Sequence, residues 1–127
     1  MKTILVADDE FDLTGTLRSI LEGEGYRTES CSNGRAVLER LKTGKPDMLL
    51  LDIMLPFMSG LEVLRVMKQT AGLDGIPVVL MSSVPPGVKQ KDYRWEAFLR
   101  KPFSLDELLE VVRTHAGDPE AEAVPDA

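Results

Sequence analysis

Four consecutive large apolar residues, Met48-Leu49-Leu50-Leu51, run directly into an acid, Asp52. Successive side chains of a strand point to opposite faces, so a run that is apolar at every position needs both faces covered. The segment therefore belongs in the middle of a sheet with helices on either side, which means a largely parallel sheet. Asp52 then emerges at the carboxyl end of that strand.

The same pattern recurs. Thr3 to Ala7 is an apolar run that stops at Asp8-Asp9-Glu10, Ile76 to Met81 stops at Ser82-Ser83, and the brief Phe98-Leu99 strand ends at Lys101-Pro102. Tyr26 to Cys31 reads as a shorter, more polar strand. Between these runs the apolar spacing turns helical: Leu13, Leu17, Ile20 and Leu21 up to the stop at Gly23 to Gly25, then Val37, Leu38 and Leu41 behind an Asn33 N-cap. A third helix is predicted from Gly60 to about Gln69, with Leu61, Leu64, Val66 and Met67 partly inward. A last one follows the capping box of Ser104 and Glu107 to about Thr114. Strictly alternating strands and helices imply an α/β fold with right-handed crossovers.

The segment Val84 to Arg94 breaks this regularity, because Pro85-Pro86-Gly87 forbids a helix start and leaves room only for a short helical stretch. Trp95 fits either the core or an exposed anchor. Cys31 is expected as a packed strand residue, His115 as a favourable charge at a helix end, and Lys89, Lys91 and Arg94 as a solvated face. Residues 1–116 are read as one domain. The tail 117–127, acidic and poor in large apolar residues, is expected to be disordered or to begin a linker.

Charge narrows the function. With 15 Lys and Arg against 21 Asp and Glu the net charge is -6, which argues against a nucleic-acid surface and for protein or cation partners. A single cysteine and the lack of any apolar run of about 18 residues point to the cytoplasm and away from membrane insertion. In an open parallel sheet, ligands bind at the carboxyl ends of the strands, which selects Asp8, Asp9, Asp52, Ser82 and Lys101. Carboxylates converging there would repel one another unless a positive group lay among them. Magnesium suits such an all-oxygen set and needs neither histidine nor thiolate. Should a phosphoryl group arrive on Asp52, the Lys101 ammonium and the Ser82 hydroxyl could each pair with one of its oxygens.

Asp8-Asp9-Glu10, the stretch Asp52-Ile53-Met54-Leu55-Pro56-Phe57-Met58-Ser59-Gly60, Ser82 and Lys101-Pro102-Phe103, in this order at these strand ends, closely resemble the receiver domain of bacterial two-component response regulators. The resemblance covers roughly residues 2 to 115. It implies a flavodoxin-like, doubly wound (βα)5 sandwich with strand order 2-1-3-4-5. It implies Asp52 as phosphoacceptor and Asp9, Asp52 and the Met54 backbone carbonyl as direct magnesium ligands. Asp8 would act largely through water, Lys101 and Ser82 would be the phosphoryl-binding pair, and manganese would be an acceptable substitute ion. Pro56, Gly60 and Pro102 shape the loops. The implied partners are a sensor histidine kinase or phosphotransfer protein and a downstream protein target. Ser82 and Phe98 form the implied switch. Such a chain is a signalling phosphoprotein of a phosphorelay, not a turnover enzyme.

The chain departs from the family's pattern at Ser83, at Arg94-Trp95, and in a shortened stretch from Ser82 to Lys101, so the fourth helix is expected to be truncated, shifted or mobile. Phe98 has no hydroxyl to read out a switch by hydrogen bonding, so its ring must act by burial. Met54 and Val84, beside the site, offer no group to orient a water, and slow loss of phosphate is expected. The alternative is a receiver fold that binds a partner without phosphorylation. An aspartate-based phosphatase would need a nucleophile on the first strand and a capping insertion, for which there is no room.

Overall fold

A computed structural model describes residues 1–120, in which strands and helices alternate. They are β1 (Thr3–Ala7), α1 (Phe11–Gly23), β2 (Arg27–Cys31), α2 (Gly34–Leu41), β3 (Met48–Asp52), α3 (Gly60–Lys68), β4 (Val78–Ser82), α4 (Gln90–Tyr93), β5 (Ala97–Arg100) and α5 (Leu105–Ala116). The strands form one parallel sheet in the order β2-β1-β3-β4-β5, the flavodoxin-like arrangement implied by the sequence. Its strand order reverses between β1 and β3.

β3 is central and every one of its residues is buried. Leu50 pairs with Val6 on one side and Val79 on the other. The alternation of side chains divides the core into two layers. Leu5, Leu49, Leu51, Val78 and Leu80 pack on the side of α2 and α3, against Val37, Leu41, Val63, Leu64 and Met67. Ile4, Val6, Leu50, Val79 and Met81 pack on the side of α1 and α5, against Leu17, Leu21, Leu108 and Val112. Each fully buried Leu or Val contributes about 1.5–3 kcal/mol by leaving water, so the central strands anchor whatever their ends carry.

Local signals account for three of the five helix starts. Asn33 accepts from the Ala36 amide at 2.8 Å and caps α2. Ser59 accepts from the Glu62 amide at 3.2 Å and caps α3. Ser104 accepts from the Glu107 amide at 3.0 Å while the Glu107 carboxylate accepts from the Ser104 amide at 3.2 Å, completing the capping box. α5 runs on to Ala116, past the expected Thr114, and closes at Gly117 with φ 87°.

Three details complete the picture, and the second bears out the expected truncation of the fourth helix. On α3 Leu64 and Met67 are fully buried and Leu61 and Val66 half-buried, as their spacing indicates, and Val63 is buried as well. The fourth helix is a single turn, α4, that starts after the Pro85-Pro86-Gly87 block and ends on Arg94 in the left-handed region at φ 61°. Trp95 is core: Gln90 Nε2 donates to the Trp95 carbonyl at 2.6 Å and the indole lies in the α2–α3 layer. Residues 117–120 return to the fold, with the Tyr26 hydroxyl donating to the Gly117 carbonyl at 2.7 Å and the Lys2 amide to the Pro119 carbonyl at 2.8 Å. The rest of the tail expected to be disordered, 121–127, lies outside the described residues. Among the described residues no helix is long and apolar enough to cross a membrane.

Because both halves of the capping box are made, Ser104→Ala is expected to destabilise the domain by about 1 kcal/mol. Urea unfolding monitored at Trp95 checks this, with the midpoint falling and the slope unchanged.

Candidate functional site

The sheet delivers its polar residues to one edge because β1, β3, β4 and β5 all point the same way. Asp8 follows β1 and is buried; its Oδ1 accepts from the Glu10 amide at 2.8 Å, which folds Glu10 back over the strand end. Asp52 closes β3 and is also buried, with Oδ1 accepting from the Met54 amide at 2.9 Å. Ser82 closes β4, and its Oγ accepts from the Val84 amide at 3.2 Å, which leaves the hydroxyl proton to be donated elsewhere. Lys101 follows β5, tied by its own amide to the Ser82 carbonyl at 2.8 Å; the Lys101–Pro102 bond is cis.

The loop after Asp52 is held by close backbone approach. Gly60 donates its amide to the Ile53 carbonyl at 2.8 Å, and a Cβ at position 60 would overlap the Asp52 carbonyl. Gly34, at the start of α2, similarly makes room for the Met58 carbonyl and donates to the Pro56 carbonyl at 3.3 Å. Between these anchors Phe57 is in the left-handed region at φ 68°, which costs a non-glycine residue about 1–2 kcal/mol. Its ring is exposed, with the Arg35 guanidinium 6.0 Å from the centroid.

At the centre, Lys101 Nζ donates to Asp8 Oδ2 at 2.7 Å, Asp52 Oδ2 at 2.9 Å and Glu10 Oε1 at 3.1 Å. The residues alone suggest a cation as the compensating charge, with Lys101 reserved for a phosphoryl group. In the structure the ammonium itself already lies among the acids. Burial works against the Lys101 ammonium, but its three acceptors outweigh that and hold it well above the ordinary lysine range. Asp52 has only a share of that one cation. Burial pushes its carboxyl up, Lys101 and the Met54 amide oppose without cancelling, and the charge of Asp8 adds to the rise.

A cavity of about 590 Å³ opens over this cluster, lined among others by Asp9, Asp52, Met54, Ser82 and Lys101. Most of the residues singled out in the sequence therefore converge. One departs from the expected placement. Asp9 is exposed and lines the cavity, but the carboxylates whose oxygens lie within 4.8 Å of one another belong to Asp8, Glu10 and Asp52. Glu10 had no role assigned to it; only the turn at Asp8, two residues before it, could have signalled that its side chain returns to the site. Phe98 is half-buried, packs on the α2–α3 layer and lies in a separate groove with α5.

Three carboxylates, with no thiolate and no imidazole beside them, make a hard oxygen donor set that fits magnesium or manganese and not zinc.

Comparison with known proteins agrees with this geometry. Residues 4–113 match the family model described as the response regulator receiver domain. The chain is 36% identical over 113 residues to the response regulator MprA of Mycolicibacterium vanbaalenii, across 87% of this chain and 48% of that protein. It thus spans about half the length of that relative. It is 30% identical over 120 residues to the polar-differentiation response regulator DivK of Brucella anthropi, covering 92% of this chain and 98% of that one. Among solved structures, the response regulator TrrA of Thermotoga maritima, in complex with Mg(2+)-BeF, superposes with a TM-score of 0.81 at 30% identity, over 90% of this chain and 98% of that one.

Because burial raises Asp52, its ionised form costs the folded state stability in magnesium-free buffer. This cost is full above the folded pKa and vanishes below the unfolded carboxylate value of about 3.9. Asp52→Asn is therefore expected to melt above the unsubstituted protein at pH 7, with the gap closing towards pH 3.5, as read by thermal unfolding across that range.

Proposed function

The chain belongs to the response regulator receiver domain family of two-component systems, and from that premise we propose that Asp52 accepts a phosphoryl group from a phosphohistidine on a sensor histidine kinase or phosphotransfer protein. The observation that carries this reading is the contact of Lys101 Nζ with both Asp8 and Asp52 beneath an open cavity at the carboxyl edge of the sheet.

An Asp52 carboxylate oxygen attacks phosphorus, the phosphorus–nitrogen bond breaks, and the imidazole leaves with the electron pair. Negative charge accumulates on the transferred oxygens, and positioning with electrostatic compensation supplies most of such catalysis. Lys101 is held beside Asp52 at 2.9 Å, within reach of one phosphoryl oxygen, and the Ser82 hydroxyl donates to another. Water later cleaves the acyl phosphate to return the carboxylate and inorganic phosphate.

A magnesium ion, when bound, supplies further charge neutralisation. Asp9, Asp52 and the Met54 carbonyl are the residues proposed to hold it directly, with Asp8 acting through water. The position of Glu10 in the carboxylate cluster makes it a further candidate. Drawing Lys101 and Ser82 towards the phosphoryl group pulls on the ends of β5 and β4, and Phe98 in β5 turns inward to complete the switch. A phosphoprotein relay in the cytoplasm, which modifies itself and turns over no outside substrate, then presents a changed surface to a downstream protein.

The single-turn α4 favours one second reading, a module that binds its partner irrespective of phosphorylation. Incubation with a small phosphodonor separates the two. Asp52 is expected to be labelled only when magnesium or manganese is present, Asp52→Asn is expected to abolish labelling, and Asp9→Asn to weaken it by at least tenfold. Met54 and Val84 are apolar and exposed, with no group to align a water, so the label is expected to decay slowly once the donor is removed. Absence of labelling with either metal favours the module.

A further inference from the structure

The side of the molecule formed by α2 and α3 carries a groove that the phosphoryl chemistry does not use. It has a volume of about 390 Å³ and is floored by Leu38, Val66 and Leu73, each half-buried. Arg35, Glu39 and Lys42 all line it, but the two cations are not equivalent. Lys42 is neutralised by Glu39 at 2.9 Å. Arg35 is exposed and, among the described residues, has no carboxylate partner; its guanidinium lies over the face of Phe57, 6.0 Å from the ring centroid. An arginine stacked on an aromatic ring keeps its N–H donors free at the edge of the guanidinium plane.

We propose that this groove binds an acidic, aliphatic segment of a partner protein, with an aliphatic side chain on Leu38, Val66 and Leu73 and a carboxylate on Arg35. Two observations choose that occupant. The floor is apolar, so a wholly polar ligand would leave it unpaired with anything. The unpaired charge at the margin is a cation in a chain whose net charge is -6, so an acidic segment finds an attractive point only at such places and is repelled by most of the remaining surface. Phe57 completes the seat: the left-handed backbone at φ 68° projects its ring out beside α2, under Arg35, with 77% of the residue exposed. The groove shares no lining residue with the cavity over Asp52, and this proposal does not rest on the phosphoacceptor reading.

The test uses two synthetic probes, an acetylated Glu-Leu-Leu-Glu amide and its Lys-Leu-Leu-Lys counterpart, titrated into the isotope-labelled full chain. Amide shifts at Leu38, Val66 and Leu73 are expected with the acidic probe, and at least tenfold weaker binding with the basic one. Arg35→Glu is expected to reverse that preference, while magnesium-dependent labelling of Asp52 by a small phosphodonor stays unchanged. Phe57→Gly, which removes the ring at a backbone position glycine tolerates, is expected to weaken the acidic probe several-fold. Equal binding of both probes, shifts elsewhere on the surface, no binding at millimolar probe, or occupation of the groove by a second copy of the chain in sedimentation would each overturn the proposal.

Discussion

Lys101 lies where three acidic side chains meet, and most of the site follows from that crowding. A parallel sheet brings every strand end to the same edge, so acids after β1 and β3 are forced together at distances where like charges cost free energy. One ammonium, donating to Asp8, Asp52 and Glu10, relieves part of the cost. It cannot relieve all of it, and burial leaves Asp52 above the ordinary carboxylate value. An incomplete balance of this kind is what a chemical site needs. In the proposed phosphotransfer Asp52 takes a further cation, and Lys101 moves its charge from carboxylates to the incoming phosphoryl group.

The fold keeps that balance in place by rigidity on both sides of it. Asp52 is the last residue of a fully buried strand, and the loop that leaves it is held at Gly60 and Gly34 by contacts that tolerate no Cβ. The strain of Phe57 in the same loop is supported by those anchors. By contrast the segment between β4 and β5 is one helical turn between irregular stretches, so less regular structure borders the site on the side of Ser82.

Much of this was legible in the residues because burial leaves a strong mark. The run Met48 to Leu51 could only be a central strand, and the caps at Asn33 and Ser104 fell where their hydrogen bonds are found. What could not be read depended on contacts made across the fold. Trp95 is flanked by polar residues, and only the hydrogen bond from Gln90 to its carbonyl and the room left by a short α4 turn it into the core. Val63 takes a fully buried place on α3 that its mixed apolar spacing does not single out. The place of Glu10 beside Lys101 arises from a two-residue turn at Asp8, a geometry that no side-chain pattern announces. The separation of Asp9 from the close carboxylate cluster has the same origin.

The proposed function sets a lysine and a divalent cation in competition for one set of carboxylates. Calorimetric titration of magnesium into the protein and into Lys101→Met measures that competition directly. If the ammonium balances the acids as described, its removal tightens magnesium binding, because the cation no longer has to share Asp8 and Asp52. Unchanged or weaker binding by Lys101→Met, in a protein that still folds, would contradict it.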